Sequence, residues 1–423
     1  MSDTFAPPGM PDSSDLFTDS LNRRQFLVEA LGLATATSLP SLGAEAPGPG
    51  QQTFRAAIMG NTGHGDYGHG LDLIFNGREN ITVVAVADPN EAGRDKAAAR
   101  AHALRRYADF RELIKREKPQ LVSVAPRWSD QHHAMALAAL RAGAHVFLEK
   151  PITRTLAEAD ELLAVAKRAG LKIAVAHQMR FAPNILFLKK LLEDGLIGDL
   201  LEIRAHGKQD QRAGGEDLIV LGIHLFDLMR FFAGDPLWCA GRVLQKGHDI
   251  TLADAHPATE NIGLIAGDDI FAQFAFPKGV HATFTSRAAN RQAAGPWGLE
   301  LIGTKGAVKI LADIFPRIFA LKNGAWSPNG KTDEWRPLEG DPTLQIQPQE
   351  RGFDTANARV VDDWLAAISQ DRDPICSGHA AMKALEMALA VFPAGLSRSR
   401  IELPLKDRNH PLVSQPDRAK RRN

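Results

Sequence analysis

Cysteine is scarce in this sequence, and its scarcity narrows the kinds of protein the chain can be. The 423 residues include only two cysteines, Cys239 and Cys376, and these lie in different segments. Two cysteines so placed provide neither a disulfide framework nor the ligands of a zinc site. We therefore expect both to be ordinary small apolar residues, and we predict no metal site.

An excess of charge and a long apolar run are also missing. Lysine and arginine together number 50, and so do aspartate and glutamate. A chain without net charge has no field to hold a polyphosphate backbone, so nucleic acid is not an expected partner. No run of about 18 apolar residues occurs, so we expect no membrane span in the mature chain. The length instead predicts two domains.

The first 50 residues differ in composition from the rest. A polar, proline-bearing stretch precedes Arg23 and Arg24, and a weakly apolar run that begins with Phe26 and Leu27 follows them. This order is typical of an export signal and resembles twin-arginine signals. We therefore predict a periplasmic or otherwise exported protein, with "PGPGQQ" as a linker after the signal. The alternative is an amphipathic or disordered arm on a cytoplasmic protein.

Short apolar stretches alternate with helical stretches from Phe54 onward. The strand-like stretches are "FRAAIM", "ITVVAVAD", "LVSVAP", "AHVFLE" and "KIAVAHQ", and stretches such as "HHAMALAALRAG" lie between them. This alternation indicates a parallel sheet covered by helices on both faces. Ligands bind such sheets at the carboxyl ends of the strands. Later patterns such as "DIFAQFAFP" and "VHATFTSRA" predict a second, largely antiparallel sheet.

A glycine-rich stretch, "GNTGHGDYGHG", follows the first predicted strand. Glycines allow the tight turn and the close backbone approach that a dinucleotide pyrophosphate needs above a helix N-terminus. One candidate phosphate turn is formed by Gly60, Gly63 and Gly65, and Thr62 then stands where a glycine is usual. The other candidate is Gly63, Gly65 and Gly68, which match G-x-G-x-x-G. A flexible loop is the alternative interpretation.

Asp88 ends the second predicted strand, 20 residues after Gly68 and 28 after Gly60. A carboxylate about 20 residues beyond such glycines is expected to bind the ribose hydroxyls of a dinucleotide. Because no arginine directly follows Asp88 to accept a 2′-phosphate, NAD is favoured over NADP. Asp88 can also begin an Asp-Pro turn, and the two roles are compatible.

Lys150 ends the fourth predicted strand, in "HVFLEKPIT". Most lysines in such a position are solvated, because the stem lies along apolar surface while the ammonium stays in water. A partly desolvated lysine at this edge of a sheet has a lowered pKa and can hold or relay a substrate proton. The residue alone leaves both interpretations open.

The order of these elements resembles the Gfo/Idh/MocA family of nicotinamide-dependent oxidoreductases. The resemblance rests on the glycine loop, "VADPN", "VAPRWSDQHH", "GIHLFDLMRFFAG" and "LELIGTKGAVKI", and it covers nearly the whole chain after residue 53. Its most specific element is the Glu-Lys-Pro triplet at 149–151, followed by "TRTLAEAD". The resemblance implies an α/β protein in which a signal and linker (1–50) precede a Rossmann NAD(P)-binding domain (51–180). A C-terminal α+β domain (181–423), built on a largely antiparallel sheet, completes the chain.

The resemblance also assigns residues of the first domain to the cofactor site. Lys150 contributes to catalysis and touches the nicotinamide ribose, with Glu149 beside it. In "APRWSDQHH", Pro126 and His132 match the family's Thr-Pro-x-x-x-His loop. Trp128 either stacks on the nicotinamide or a sugar ring, or only closes the loop.

Further candidate catalytic residues lie in "VLGIHLFDLM". His224 and Asp227 are three residues apart, so they share a face of a helix, and both belong to the family pattern. The family histidine contacts the substrate hydroxyl and serves as, or beside, the general base. Many members carry an aspartate four residues before this histidine, where this chain has Val220.

Three residues could supply the acid or base that Val220 does not. These candidates are Glu216, Asp217 and His177, and the sequence does not choose among them. Arg180, in "HQMRFAP", is either a substrate-side or domain-interface cation or part of a surface salt bridge.

The function implied by the resemblance is NAD(P)-dependent oxidation of a secondary alcohol of a sugar, polyol or related polar molecule. Hydride passes to the nicotinamide, and Lys150 and His224 handle the hydroxyl proton. The family also implies a homodimer or homotetramer. One alternative is a redox-neutral NAD-dependent glycosidase or lyase, and another is a nucleotide-binding sensor without turnover. For an exported protein, we expect a tightly held nucleotide that each cycle restores.

Overall fold

The computed structural model describes residues 53–289, 297–323, 328, 333–338 and 352–413. The signal and linker predicted for residues 1–50 lie outside this part of the chain. The described residues belong to one compact unit that begins at Gly50. The predicted boundary at residue 180 therefore stays a prediction.

The first sheet has six parallel strands in the order β3-β2-β1-β4-β5-β6. Chain connections run in opposite directions on the two sides of β1, which creates a crevice at the carboxyl ends of β1 and β4. This sheet confirms the predicted Rossmann fold. The strands are β1 (Phe54–Met59), β2 (Ile81–Ala87), β3 (Arg105–Tyr107), β4 (Leu121–Val124), β5 (His145–Leu148) and β6 (Ile173–Val175).

Four helices connect these strands and cover the sheet. Helix α4 shows why such segments are helical: Thr155 and Glu158 form a reciprocal capping box, and Gly170 ends the helix in a left-handed conformation. Burial of β4 and β5 on both faces explains their continuous apolar runs. The helices are α1 (Glu91–Arg100), α2 (Phe110–Glu117), α3 (His132–Arg141) and α4 (Leu156–Ala169).

The segment after β1 differs from the Rossmann expectation. Residues 61–77 form successive turns, where a helix was expected to carry the pyrophosphate at its N-terminus. The cause is local, because Gly63, Gly65, Gly68 and Gly70 all have positive φ angles between 56° and 86°. Four left-handed glycines within eight residues are incompatible with a right-handed helix.

The second sheet is large and mostly antiparallel, as predicted. Within the described residues its main path is β17-β16-β15-β14-β7-β13-β12-β8-β18, with β9 paired to β8, and only the β7–β13 pair is parallel. A separate ribbon pairs β10 with β11. The strands are β7 (Leu200–His206), β8 (Trp238–Gln245), β9 (His248–Asp249), β10 (His256–Pro257), β11 (Leu264–Ile265), β12 (Asp269–Ala275), β13 (His281–Arg287), β14 (Gly298–Gly303), β15 (Ala307–Leu311), β16 (Arg317–Leu321), β17 (Arg336–Pro337) and β18 (Ile401–Glu402).

Among the described residues, five further helices pack on the sheets. The longest, α9, contacts α4 and β6 of the first sheet's layer as well as β8 and α7 of the second. It is long and apolar enough to cross a membrane, but 78% of its apolar window is buried in the protein, as in a core helix. The helices are α5 (Pro183–Glu193), α6 (Gly215–Val220), α7 (Gly222–Ala233), α8 (Phe353–Ser369) and α9 (Gly378–Ser397).

Candidate active site

A cavity of about 320 Å³ opens at the carboxyl edge of the first sheet, against α7 of the second domain. Most of its ionisable lining groups are basic. Lys150, His69 and Arg127 come from the first domain, and His224, Arg212 and Glu260 come from the second. The cavity thus brings together the two catalytic residues predicted from sequence, which are 74 residues apart in the chain.

Lys150 follows β5 and is buried, with 5% of its surface exposed. Its Nζ donates a hydrogen bond to the carbonyl oxygen of Val220 at 3.0 Å. No carboxylate in the described part of the chain forms an ion pair with it. Burial lowers the pKa of Lys150, although the negative charges of Glu149 and Glu260 oppose that change. The lysine is therefore desolvated, and the solvated strand-end interpretation is wrong.

Val220 takes part in the site through its backbone. Its side chain is buried and apolar, so it cannot replace the family aspartate. Its carbonyl oxygen instead holds the ammonium of Lys150, a contact that depends on the end of α6 and not on the side chain. An aspartate would stabilise the charged form of the lysine. The neutral carbonyl oxygen accepts the hydrogen bond but adds no negative charge.

His224 lies on α7 and faces His177, with ring centroids 5.5 Å apart. Within the described residues, Nδ1 of His224 and both ring nitrogens of His177 have no hydrogen-bond partner. Burial lowers the pKa of His177 to about 4 and that of His224 well below its ordinary value. Both rings are therefore neutral at neutral pH and carry free polar atoms beside Lys150.

Asp227 and Arg180 form a buried ion pair behind the histidines. The guanidinium donates from Nε to Asp227 Oδ2 at 2.7 Å and from Nη2 to Oδ1 at 2.6 Å. Both residues are buried and neither lines the cavity. Arg180 is thus salt-bridged but not at the surface, and the pair fixes α7 against the segment that follows β6. Their predicted substrate role stays a prediction.

The two acidic candidates for the missing group are engaged elsewhere. Asp217 accepts hydrogen bonds from the Ser286 hydroxyl at 2.6 Å and from two backbone amides. Glu216 accepts from the backbone amides of Thr259 and Glu260. Neither carboxylate lines the cavity, whereas His177 touches the ring of His224.

Asp88 lies at the end of β2, as predicted, but its carboxylate is covered by the glycine loop. It accepts from the amide of Thr62 at 3.0 Å, from the Thr62 hydroxyl at 2.7 Å and from the amide of Asn90 at 2.8 Å. No part of Asp88 is exposed. Thr62 therefore occupies the acceptor positions that ribose hydroxyls would use.

The glycines of the loop are required by close contacts. A Cβ on Gly60 would lie 2.2 Å from the Tyr67 ring, and one on Gly65 would lie 2.5 Å from the backbone nitrogen of Trp128. Gly63 has a φ of +83°, which glycine adopts without strain. The glycine loop is consequently packed on the loop that carries Trp128.

That second loop is held from both sides. His132 is fully buried, and its ring nitrogens lie 2.8 Å from the carbonyl oxygen of Pro151 and 2.6 Å from that of Pro126. Trp128 packs edge-on against His64, with ring centroids 4.6 Å apart. In this structure Pro126, Trp128 and His132 contact protein groups, and their predicted contacts with a cofactor stay predictions.

A dinucleotide fits the residues at this edge, with one adjustment. The glycine turn follows β1, Asp88 follows β2 and Lys150 follows β5, so the groups predicted to bind phosphate, ribose and nicotinamide share one edge of the sheet. The adjustment is at Asp88, because ribose binding there requires Thr62 to release the carboxylate.

Sequence reasoning missed His69, which also lines the cavity. Its backbone amide donates to Oε1 of Glu149 at 3.1 Å, and its Nδ1 forms a very short contact with the same oxygen. Glu149 is fully buried. Burial raises the pKa of Glu149, but the facing groups of His69 and Lys150 outweigh burial and lower this pKa to about 2. The spacing of 80 residues between the partners leaves no sequence signal for the pair.

Comparisons with known proteins agree with this arrangement. A family profile described as an oxidoreductase family with an NAD-binding Rossmann fold matches residues 54–177. A profile for the GFO/IDH/MocA C-terminal domain matches residues 185–309. Together the two matches span more than half of the chain.

Individual relatives are more distant. The chain is 25% identical to a D-apiose dehydrogenase of Paraburkholderia graminis over 348 residues, 78% of this chain and 86% of that protein. It is 28% identical to the trans-1,2-dihydrobenzene-1,2-diol dehydrogenase of Bos taurus over 55% of this chain and 67% of that protein. A solved levoglucosan dehydrogenase, in complex with NADH and levoglucosan, shares the fold: the TM-score is 0.69 and the identity 18%, over 84% of this chain and all of that one. The chain belongs to the Gfo/Idh/MocA family of oxidoreductases, whose first domain is an NAD-binding Rossmann fold.

Proposed function

We propose that this protein is an NAD-dependent dehydrogenase that oxidises a secondary alcohol of a sugar, polyol or related polar molecule. The observation that carries the proposal is the cavity at the carboxyl edge of the first sheet, where desolvated Lys150 and neutral His224 meet. The substrates named for the relatives, D-apiose, an aromatic dihydrodiol and levoglucosan, are all compounds with secondary hydroxyls, which supports the substrate class.

The residues of the cavity divide the work. NAD, when bound, supplies the hydride acceptor. Lys150 donates a hydrogen bond to the substrate oxygen, and its lowered pKa suits it to hold or relay the hydroxyl proton. His224, with a free ring nitrogen, orients the same hydroxyl. The buried surroundings strengthen each of these polar contacts because the local dielectric constant is low.

The decisive experiment is a substrate screen with the purified protein. NADH formation is followed by absorbance with NAD and a panel of pentoses, hexoses, anhydrosugars, polyols and sugar acids. We expect turnover with a subset of the panel and loss of turnover in Lys150→Met. Turnover that survives this substitution undiminished would refute the assignment.

A redox-neutral glycosidase or lyase remains the rival outcome of the same screen. Val220 in place of an aspartate is the observation that leaves room for it. Aryl glycosides incubated without added nucleotide separate the two activities. Release of the aglycone, without net formation of NADH, would replace the dehydrogenase with the rival.

We propose in addition that the protein is exported and forms a homodimer or homotetramer. Export rests on Arg23, Arg24 and the weakly apolar run after them, which lie outside the described residues. The oligomer rests on the outer face of the large sheet, where β7, β13, β14 and β15 line a broad groove. Fractionation of the native host and light scattering of the purified protein test the two statements.

A further inference from the structure

We propose that His69, held by the carboxylate of Glu149, accepts the proton of the substrate hydroxyl. This inference rests on the proposed function and names a residue for it that neither the catalytic pair nor the cofactor set includes. A neutral nitrogen base that accepts a proton in a buried cavity becomes a cation, so it needs a neighbour that stabilises the positive charge.

Three nitrogen groups in or beside the cavity, those of His177, His224 and Lys150, lack a carboxylate that is free to stabilise an added proton. His177 lies 3.8 Å from Asp227, but that carboxylate already receives two hydrogen bonds from Arg180. His224 has no carboxylate partner among the described residues and lies in the field of Lys150. Lys150 is an ammonium held by the carbonyl oxygen of Val220, so it has no lone pair to accept another proton. A proton on either histidine would be a desolvated charge in the field of Lys150.

His69 differs because a carboxylate holds it directly. Nδ1 of its ring contacts Oε1 of Glu149, while Oε2 of the same carboxylate accepts the backbone amide of Lys150 at 2.7 Å. The other ring nitrogen, Nε2, has no hydrogen-bond partner in the described part of the chain. A histidine that gives its Nδ1 proton to a carboxylate keeps its lone pair on Nε2, the arrangement of a general base.

The backbone is shaped to make this contact. A Cβ on Gly68 would lie 2.6 Å from Cγ of Glu149, and its φ is +56°, so only glycine allows the loop to approach so closely. On the other side, Asn357 of α8 donates to the carbonyl oxygen of His69 at 2.9 Å, and Phe353 packs on its ring. His69 is thus fixed in both backbone and side chain, with 27% of its side chain exposed.

Oxidation of the alcohol releases a proton and a hydride, which go to different acceptors. The substrate O–H bond breaks and its proton passes to Nε2 of His69, the C–H hydride passes to the nicotinamide of NAD⁺, and the carbon–oxygen bond becomes a carbonyl. The imidazolium is stabilised by Glu149 and returns its proton to water through the exposed part of the ring. Lys150 remains the donor that stabilises the oxygen as negative charge develops.

The first test reads the protonation of the ring and does not depend on turnover. The protein is labelled with ¹⁵N-histidine, and the His69 signals are assigned by their absence in His69→Asn. In the neutral ring we expect the proton on Nδ1, and a change in this tautomer in Glu149→Gln. A neutral ring with its proton on Nε2 would overturn the proposal.

The second test is kinetic, on a substrate found in the screen. Asparagine at 69 can still donate to Glu149 but has no basic nitrogen, so kcat should fall by about 10²–10⁴-fold with NAD affinity unchanged. The matched control is His133→Gln, because His133 also contacts a glutamate, Glu161 at 2.9 Å, but on α3 outside the cavity. Full activity in His69→Asn would refute the role. A wild-type protein that oxidises no alcohol would contradict the proposed function, and the ring's protonation would still decide whether Glu149 holds an acceptor.

Discussion

Replacing Lys150 with methionine separates catalysis from stability more sharply than any other change at this site. Methionine keeps the length and apolar character of the lysine stem but removes the ammonium. The lost contacts are the hydrogen bond to the Val220 carbonyl and the interaction with the substrate oxygen. A positioned acid-base group contributes about 10²–10⁴-fold, so the barrier should rise by about 3–5 kcal/mol.

The same substitution should leave the stability of the protein unchanged or increase it. Lys150 is a buried cation without an ion-pair partner among the described residues, so its removal relieves desolvation and costs only one hydrogen bond. We expect the free energy of unfolding to stay within about 1 kcal/mol of wild type or to increase. The assays are NADH formation and urea unfolding, with Lys167→Met on the exposed side of α4 as control. A variant with near-normal kcat, or one destabilised by several kcal/mol, would show that Lys150 is a structural residue.

Three further changes test other parts of the site. Arg180→Met leaves Asp227 as a buried, unpaired charge and should lower the free energy of unfolding, measured by urea titration, by about 3–5 kcal/mol. Adding Asp227→Leu should recover most of this loss, and a double variant whose loss equals the sum of the two single losses would contradict the prediction. The pKa of His177 is about 4 in the folded protein and 6.5 in the unfolded chain, so only the unfolded state binds a proton between these pH values. The free energy of unfolding should therefore fall by up to about 3 kcal/mol as the pH drops from 6.5 to 4. His177→Gln should flatten this pH dependence, and an unchanged slope would count against the lowered pKa of His177. Thr62→Ala frees an acceptor position on Asp88 and should tighten NAD binding by up to about tenfold in calorimetry, while equal affinity would mean that the ribose is held elsewhere.

The parts of the fold that follow from local pattern were predictable. Strand β1 coincides with "FRAAIM", because a parallel strand covered on both faces is apolar along most of its length, here at every position but the exposed Arg55. Strand β8 was missed, since "WCAGRVLQ" mixes glycine and arginine with apolar residues and is only partly buried. The prediction of a helix after the glycine turn is wrong for a different reason: the glycine spacing indicates a phosphate site, but four glycines in left-handed conformations are incompatible with the helix itself.

In the site, individual residues could be predicted from the sequence, but their tertiary contacts could not. Lys150 and His224 could be placed because each lies at a recognisable position on its own element. The contact between Lys150 and the carbonyl of Val220 could not, because every residue has a carbonyl and only the tertiary structure decides which one points at the lysine. The pairing of His69 with Glu149 depends on a loop that approaches a strand end 80 residues away, and the covering of Asp88 by Thr62 depends on the same loop.

Helix α9 determines which motions can admit a cofactor. Its residues pack on α4 and β6 at one side and on α7 and β8 at the other, and one continuous cluster of buried apolar side chains includes Leu148, Leu225 and Phe392. Opening the crevice like a hinge would pull this helix away from one of its two partners and expose that core to water, at a cost of about 25 cal/mol for each Å². Residues 61–66 of the glycine loop bury no large apolar side chain and are joined to their neighbours by polar contacts such as that of Thr62, so local displacement of this part of the loop is the cheaper route. Cofactor exchange should therefore be governed by the lifetime of a few loop contacts rather than by a movement of the whole domain.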